Sequence, residues 1–179
     1  MRIEDLSIPG LKKIQLKHLR DARGGFVKNF HEPSFREAGI LHEIREEFYS
    51  VSARGVVRGM HFQIPPHDHT KLVFCVQGKV IDVVVDLRRT SPAYGRHHAE
   101  ILNGESPCAL FIPRGLAHGF QSLDEGSMVF YSVSTVHHAP ADAGIRWDSF
   151  GFDWPEPVTS VSDRDQAHPP LTGWESPFP

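Results

Sequence analysis

The chain has 179 residues, a size that fits one domain with a core able to stand without staples. Its hydrophobic content of 40%, charged content of 23% and net charge of −3 match an ordinary soluble globule and argue against nucleic acid or a membrane surface as partner. Any site for an anion must therefore be local, built from a few arginines and lysines.

The opening MRIEDLSIPG has no long apolar segment of the signal-peptide kind. No apolar run approaches the roughly 20 residues that cross a bilayer, so a cytoplasmic protein is expected. Residues 11–20, LKKIQLKHLR, suit an opening strand or a short helix. Pro33 to Leu41 reads as a short helix stopping near Gly39. The middle of the chain is β. Lys71–Gln77 and Lys79–Leu87 flank Gly78 and read as adjacent strands around a tight turn. In the second, Ile81, Val83, Val85 and Leu87 share one face, and Val80, Asp82, Val84 and Asp86 share the other. Apolar residues on both faces are expected when one sheet folds over another. Cys108–Pro113 and Ser127–Ser134 continue the pattern, and Gly144–Trp147 suits a last strand. Cys75 and Cys108 sit in apolar runs and read as two buried free thiols. Many short strands punctuated by Gly and Pro predict an all-β sandwich or small barrel with short peripheral helices. From Asp153 the chain carries Pro155, Pro157, Pro169, Pro170, Pro177 and Pro179. That tail, about 153–179, is expected to be irregular chain packed on the barrel, within a single domain of residues 1–179.

The chemistry-bearing residues cluster in three stretches. In Val56 to Arg88, His61 has Arg58 and Lys71 close by on elements expected to face one cavity. A histidine is a natural general base near neutral pH. A lysine can stabilise the oxyanion formed when a carbon acid loses its proton. Tyr131 shares a strand face with Val129 and Val133. It is either a core tyrosine with a satisfied hydroxyl or a phenol facing the base across the cavity. Asp163-Arg164-Asp165 in the tail is, on its residues alone, a solvated turn. A metal centre is the rival chemistry, with His67, His69 and His118 as ligands. Metal-binding cupins pair an H-x-H with a nearby glutamate and a later P-x-G-x-x-H. Here Pro113-x-Gly115-x-x-His118 is present, but no acid follows His69 and a cation, Lys71, stands two residues past it.

Taken in order, several motifs resemble the dTDP-4-dehydrorhamnose 3,5-epimerase family of cupin fold. They are Asp21-Ala22-Arg23-Gly24, Val57-Arg58-Gly59-Met60-His61-Phe62-Gln63, Lys71-Leu72-Val73, Asp82 to Arg88, Ser91-Pro92-Ala93-Tyr94-Gly95, Ile112 to Phe120, Tyr131, Gly144-Ile145-Arg146-Trp147, Trp154-Pro155 and Ser162-Asp163-Arg164-Asp165. The resemblance implies a double-stranded β-helix jelly roll. It implies epimerisation, without cofactor or metal, of a nucleotide-diphosphate 4-keto-6-deoxy sugar in deoxysugar or O-antigen-type biosynthesis. By resemblance, His61 is the base, Asp165 its dyad partner, Lys71 the enolate stabiliser and Tyr131 the acid on the opposite face. Arg23, Arg58, His118 and Arg164 match positions that hold the diphosphate or sugar, Gln63 belongs to the shared R-G-x-H-F-Q motif, and Asp142 matches a binding-site glutamate. The family also implies a homodimer whose subunits lend residues to each other's sites. The organic chemistry agrees: C3 and C5 both neighbour a C4 ketone, so a base and an acid on opposite faces suffice and no hydride moves.

The chain departs from the family where the nucleotide is held. Lys28 stands where a glutamate is common, and Glu46-Glu47-Phe48 replaces Q-D-N. Glutamate for glutamine and phenylalanine for asparagine change the hydrogen bonds offered to a base. A nucleotide other than thymidine, cytidine first and guanosine second, is therefore expected.

Overall fold

The structure, a computed structural model, describes residues 2–179. Two antiparallel sheets face each other. One has six strands in the order β1 (Arg2–Asp5), β2 (Lys12–Gln15), β10 (Cys108–Ile112), β7 (Lys71–Gln77), β12 (Ser127–Val133) and β5 (Glu46–Ser52). The other has five, in the order β13 (Asp142–Gly144), β6 (Val57–Gln63), β11 (Leu116–Ser122), β8 (Lys79–Asp86) and β9 (His97–Asn103). Among the described residues, a ribbon of β3 (Lys17–Asp21) and β4 (Gly24–Lys28) pairs only with itself. Two short α-helices, α1 (Glu32–Glu37) and α2 (Asp163–Gln166), and a 3-10 turn at Ala139–Ala141 complete the fold among the described residues. Crossing back and forth between two such sheets is the jelly-roll arrangement.

The apolar residues form three layers, which explains why the central strands are apolar on both faces. Between the sheets lie Val73, Cys75, Val80, Val84, Leu110, Phe120, Val129 and Tyr131. Outside the five-stranded sheet, Met60, Phe62, Val83, Val85, Ala117 and Ile145 are roofed by Phe150, Trp174 and Phe178. Outside the six-stranded sheet, Ile14, Leu72, Phe74 and Phe111 pack under Phe35 of α1 and Ile40. The thiols of Cys75 and Cys108 are buried and free, and burial pushes Cys75 up to about 12, so neither is a ready nucleophile.

Three local expectations change, and one open choice closes. Residues 11–20, left between strand and helix, form strands. The first helix begins at Glu32 and stops at Glu37, because Gly39 at φ +73 turns the chain away. The last strand is Asp142–Gly144, not 144–147, although Ile145 still exchanges backbone bonds with Met60. The largest correction concerns Gly78. The strands on either side of it are not a hydrogen-bonded pair: β7 belongs to one sheet and β8 to the other. Gly78, at φ +74, carries the chain across the sandwich.

One close approach positions the site. β6 and β11 pair with His118 opposite His61 and Phe120 opposite Arg58, so Gly59 and Met60 together oppose Gly119. This bulge turns neighbouring side chains toward the cavity. A Cβ on Gly59, which sits at φ +145, would lie 2.6 Å from the Gly119 Cα, and one on Gly119 would lie 2.7 Å from the Arg58 carbonyl. Only glycines fit. Gly119→Ala should therefore lower stability by about 2–3 kcal/mol, a fall in Tm on the order of 5–10 °C by calorimetry. A Tm within a degree or two of the parent would contradict the tight crossing.

Candidate active site

A cavity of about 380 Å³ opens between the sheets. Arg58, His61 and Gln63 reach it from β6 and His118 from β11. Lys71 comes from β7, Tyr131 from β12, and Glu46, Phe48 and Ser50 from β5. Asp142 and Arg164 close one side. Strand alternation sends His61 and Tyr131 into the cavity from facing sheets, which loops of similar length could not guarantee.

His61 is the best-supported side chain. Its Nε2 lies 2.7 Å from Asp165 Oδ1, and Asp165 Oδ2 accepts the Gly59 backbone N–H at 3.1 Å. Asp165 arrives on α2, whose first turn is capped by the Ser162 hydroxyl accepting the Asp165 N–H. The carboxylate is only 3% exposed. Burial alone would raise it. The His61 hydrogen bond and charge, the Gly59 N–H and Arg164 together hold it well below the usual carboxylate range. Burial lowers His61 below its ordinary value; the bond and charge of Asp165 oppose this, while Lys71 and Arg164 add to the lowering. At neutral pH the pair is an ionised carboxylate beside a neutral imidazole.

Arg164 Nη2 also lies 2.8 Å from His61 Nε2, and a single ring nitrogen cannot serve both neighbours. The carboxylate is closer and is held in place from behind, so the Nε2–H of His61 donates to Asp165. Nδ1 is then the basic lone pair. Arg164 finds its own anchor in Asp142, at 2.6 Å.

Lys71 is buried and donates to the His61 carbonyl at 3.2 Å. Burial lowers it to about 8, with Asp82 and Asp142 opposing and Arg164 assisting. Burial pushes the Tyr131 phenol well up, so it stays protonated and able to donate. Its hydroxyl lies 3.4 Å from the Ser50 hydroxyl, and its ring stacks on Phe48 with centroids 4.8 Å apart. His118 Nε2 is paired with the fully buried Asp82 at 2.8 Å. Arg58 bonds the Ser52 hydroxyl and the Val51 carbonyl.

Several expected residues have further partners or lie apart from the cavity. Gln63 lines the cavity, but its amide bonds the His67 carbonyl and accepts the His138 N–H, clasping two loops. Glu46 accepts the His137 N–H at 2.7 Å. Arg23 and Lys28 are not among the cavity's lining: Arg23 sits at the ribbon turn, paired with Asp21 at 2.6 Å, and Lys28 flanks Leu19 and Phe26. The metal alternative is not assembled. His67 stacks flat on His138 at 3.7 Å, His118 is committed to Asp82, and burial presses His69 down to about 3 beside Lys71. Among the described residues, donor atoms of this kind converge only at His61, Asp165 and His168.

The sequence reading missed Ser50, Asp82 and Ser162. Asp82 carried a usable signal: an acid on the inward face of an apolar strand requires a partner. Ser162 stood inside the Ser162–Asp165 motif without a role of its own, and Ser50 carried no signal above the background of serines.

The family model for dTDP-4-dehydrorhamnose 3,5-epimerase matches residues 5–173. The dTDP-4-dehydrorhamnose 3,5-epimerase of Mycolicibacterium smegmatis is 40% identical over 96% of this chain and 86% of its own. The structure of NovW, a 4-keto-6-deoxy sugar epimerase of Streptomyces spheroides, superposes with a TM-score of 0.93 at 35% identity, covering 96% and 88% of the two chains. That of the Legionella pneumophila dTDP-6-deoxy-D-glucose-3,5-epimerase, in complex with dTDP-4-keto-L-rhamnose, superposes with a TM-score of 0.90 at 34% identity, covering 96% and 93%. With the fold and nearly the whole length matched, the chain belongs to the dTDP-4-dehydrorhamnose 3,5-epimerase family of cupin-fold isomerases.

Proposed function

We propose that this protein epimerises a dTDP-4-keto-6-deoxy sugar at C3 and C5, within deoxysugar biosynthesis. The observation that carries the reading is His61 of one sheet, backed by the buried Asp165 of α2 and sharing a cavity with the Tyr131 phenol of the facing sheet. His61 Nδ1 takes the proton from the carbon beside the ketone. The C–H electrons move into the ring, the ketone becomes an enolate, and the Lys71 ammonium offsets its charge. Tyr131 returns a proton to the opposite face, and solvent reprotonates the phenolate. Nothing is oxidised or reduced. Arg58 and Arg164 suit the diphosphate as partly exposed cations at the cavity wall.

Two of the relatives above are named for dTDP sugars, and in the folded chain two of the three residues that suggested cytidine have partners of their own. Glu46 is engaged by a backbone N–H and Phe48 by Tyr131. We read the assembly as a homodimer in the cytoplasm, its ribbon carrying Arg23 and Lys28 to the neighbour's site. Leu19 and Phe26 are exposed on that ribbon, which suits a covered surface.

In heavy water with dTDP-4-keto-6-deoxyglucose, the enzyme should gain deuterium at C3 and C5. Gain at C3 alone would reduce the activity to a 3-epimerase, and no gain would overturn it. Cytidine diphosphate should compete at least about tenfold less well than thymidine diphosphate; equal competition would restore the wider nucleotide reading. His61→Asn should lower kcat on the order of 10²–10⁴-fold with Tm preserved, as expected for a lost general base. Unchanged exchange in that variant would move the base elsewhere. The pH profile of kcat/KM should be bell-shaped. His61, lowered, must be neutral, so the acid limb falls below the ordinary imidazole value of 6.5, and Lys71 must be charged, so the basic limb falls near 8. Lys71→Arg should carry the basic limb upward; a limb that stays put would remove Lys71 from the rate.

A further inference from the structure

Resting on that reading, we infer that Phe48 is a positioning residue for the Tyr131 acid, and that with Ser50 it makes the edge strand β5 the clamp that fixes where the phenol delivers its proton. Phe48 and Ser50 are two apart on one strand and so project to the same side. Phe48 lies directly opposite Tyr131 in the β5–β12 pairing. Its ring is nearly parallel to the tyrosine's, at 18° and 4.8 Å, while the Ser50 hydroxyl reaches the phenol oxygen at 3.4 Å. The stack fixes the plane of the ring. The hydroxyl contact fixes its tip. On the third side the His118 ring meets Tyr131 edge-on at 6.0 Å, itself held by Asp82.

Phe48 is 44% exposed, so this aromatic is not there to fill the core. β5 is the last strand of its sheet, and its outer edge pairs with no other strand among the described residues. A large apolar side chain on an edge strand is a liability unless it has a use. An acid that protonates carbon must be aimed more closely than one that protonates oxygen, because carbon offers no lone pair and accepts only along the axis of the enolate π system. A stacked ring supplies that aim.

The consequence is a change in partition rather than in binding. His61 removes the proton reversibly, and its imidazolium exchanges with solvent. If Tyr131 wanders, the enolate is reprotonated by His61 on the face it came from. The substrate then acquires deuterium without inverting. In heavy water with dTDP-4-keto-6-deoxyglucose, Phe48→Leu should raise the ratio of deuterated, uninverted substrate to inverted product by about tenfold, with Tm and thymidine diphosphate affinity nearly unchanged. Phe48→Tyr keeps the stack and should stay within about twofold of the parent. Ser50→Ala should shift the ratio the same way by a smaller factor. A ratio unmoved in Phe48→Leu, while the parent still exchanges and inverts, would overturn the positioning role and leave the epimerase reading intact. Absence of exchange in the parent would instead remove the reading beneath it. A loss of nucleotide affinity with an unmoved ratio would make Phe48 a binding residue only.

Discussion

A buried carboxylate joins the last part of the chain to the middle. Isolated in apolar surroundings, a charge of this kind costs several kcal/mol, so Asp165 has to be met by donors wherever it lands. It is met by the Gly59 N–H and the His61 ring, with the Arg164 guanidinium alongside. Meeting it requires the β6 backbone to present an N–H toward the tail at Gly59 while His61, two residues on, still points at the cavity. The bulge against Gly119 makes both possible, and the bulge needs two residues without side chains. One electrostatic requirement therefore dictates the glycines of two motifs far apart in the chain.

The sheets divide the remaining work. The five-stranded sheet supplies the base and its histidine neighbour; the six-stranded sheet supplies the ammonium and the phenol. Neither face alone could add and remove a proton on opposite sides of a planar carbon. The sandwich spacing, about 10 Å between sheets, is close to the thickness of one sugar ring with its contacts on each side. Few moving parts are needed, because the geometry is set by strand register rather than by a loop.

How legible this was from residues depended on whether the local pattern implied a unique partner. The alternation in Lys79–Leu87 sorted two buried faces correctly, since period two leaves little choice. Gly78 was misread as a hairpin because a positive-φ glycine serves equally well for turning back within a sheet and for crossing to the next. His67 and His69 matched the H-x-H spacing of paired ligands, yet residues 64–70 are loop, where i and i+2 need not share a side. Asp163-Arg164-Asp165 is indistinguishable in composition from a solvated turn; the four-residue helix that buries one of its acids is too short to leave a periodic trace. Only the family resemblance raised it. Phe48 was noticed as a departure from that family, but its contact with Tyr131 depends on a β5–β12 register that spans more than 80 residues of sequence.

The roof that Phe150, Trp174 and Phe178 form over the five-stranded sheet has a consequence in time. During synthesis the strands that carry His61, Lys71 and Tyr131 emerge before residues 150–178, and a domain that folds as a unit must wait for that last segment. Until the roof docks, Met60, Phe62 and Val85 face water and the imidazole has no carboxylate behind it. The same closing event dries the outer face and completes the base. A partly made chain is thus both sticky and chemically idle, and it loses both properties together.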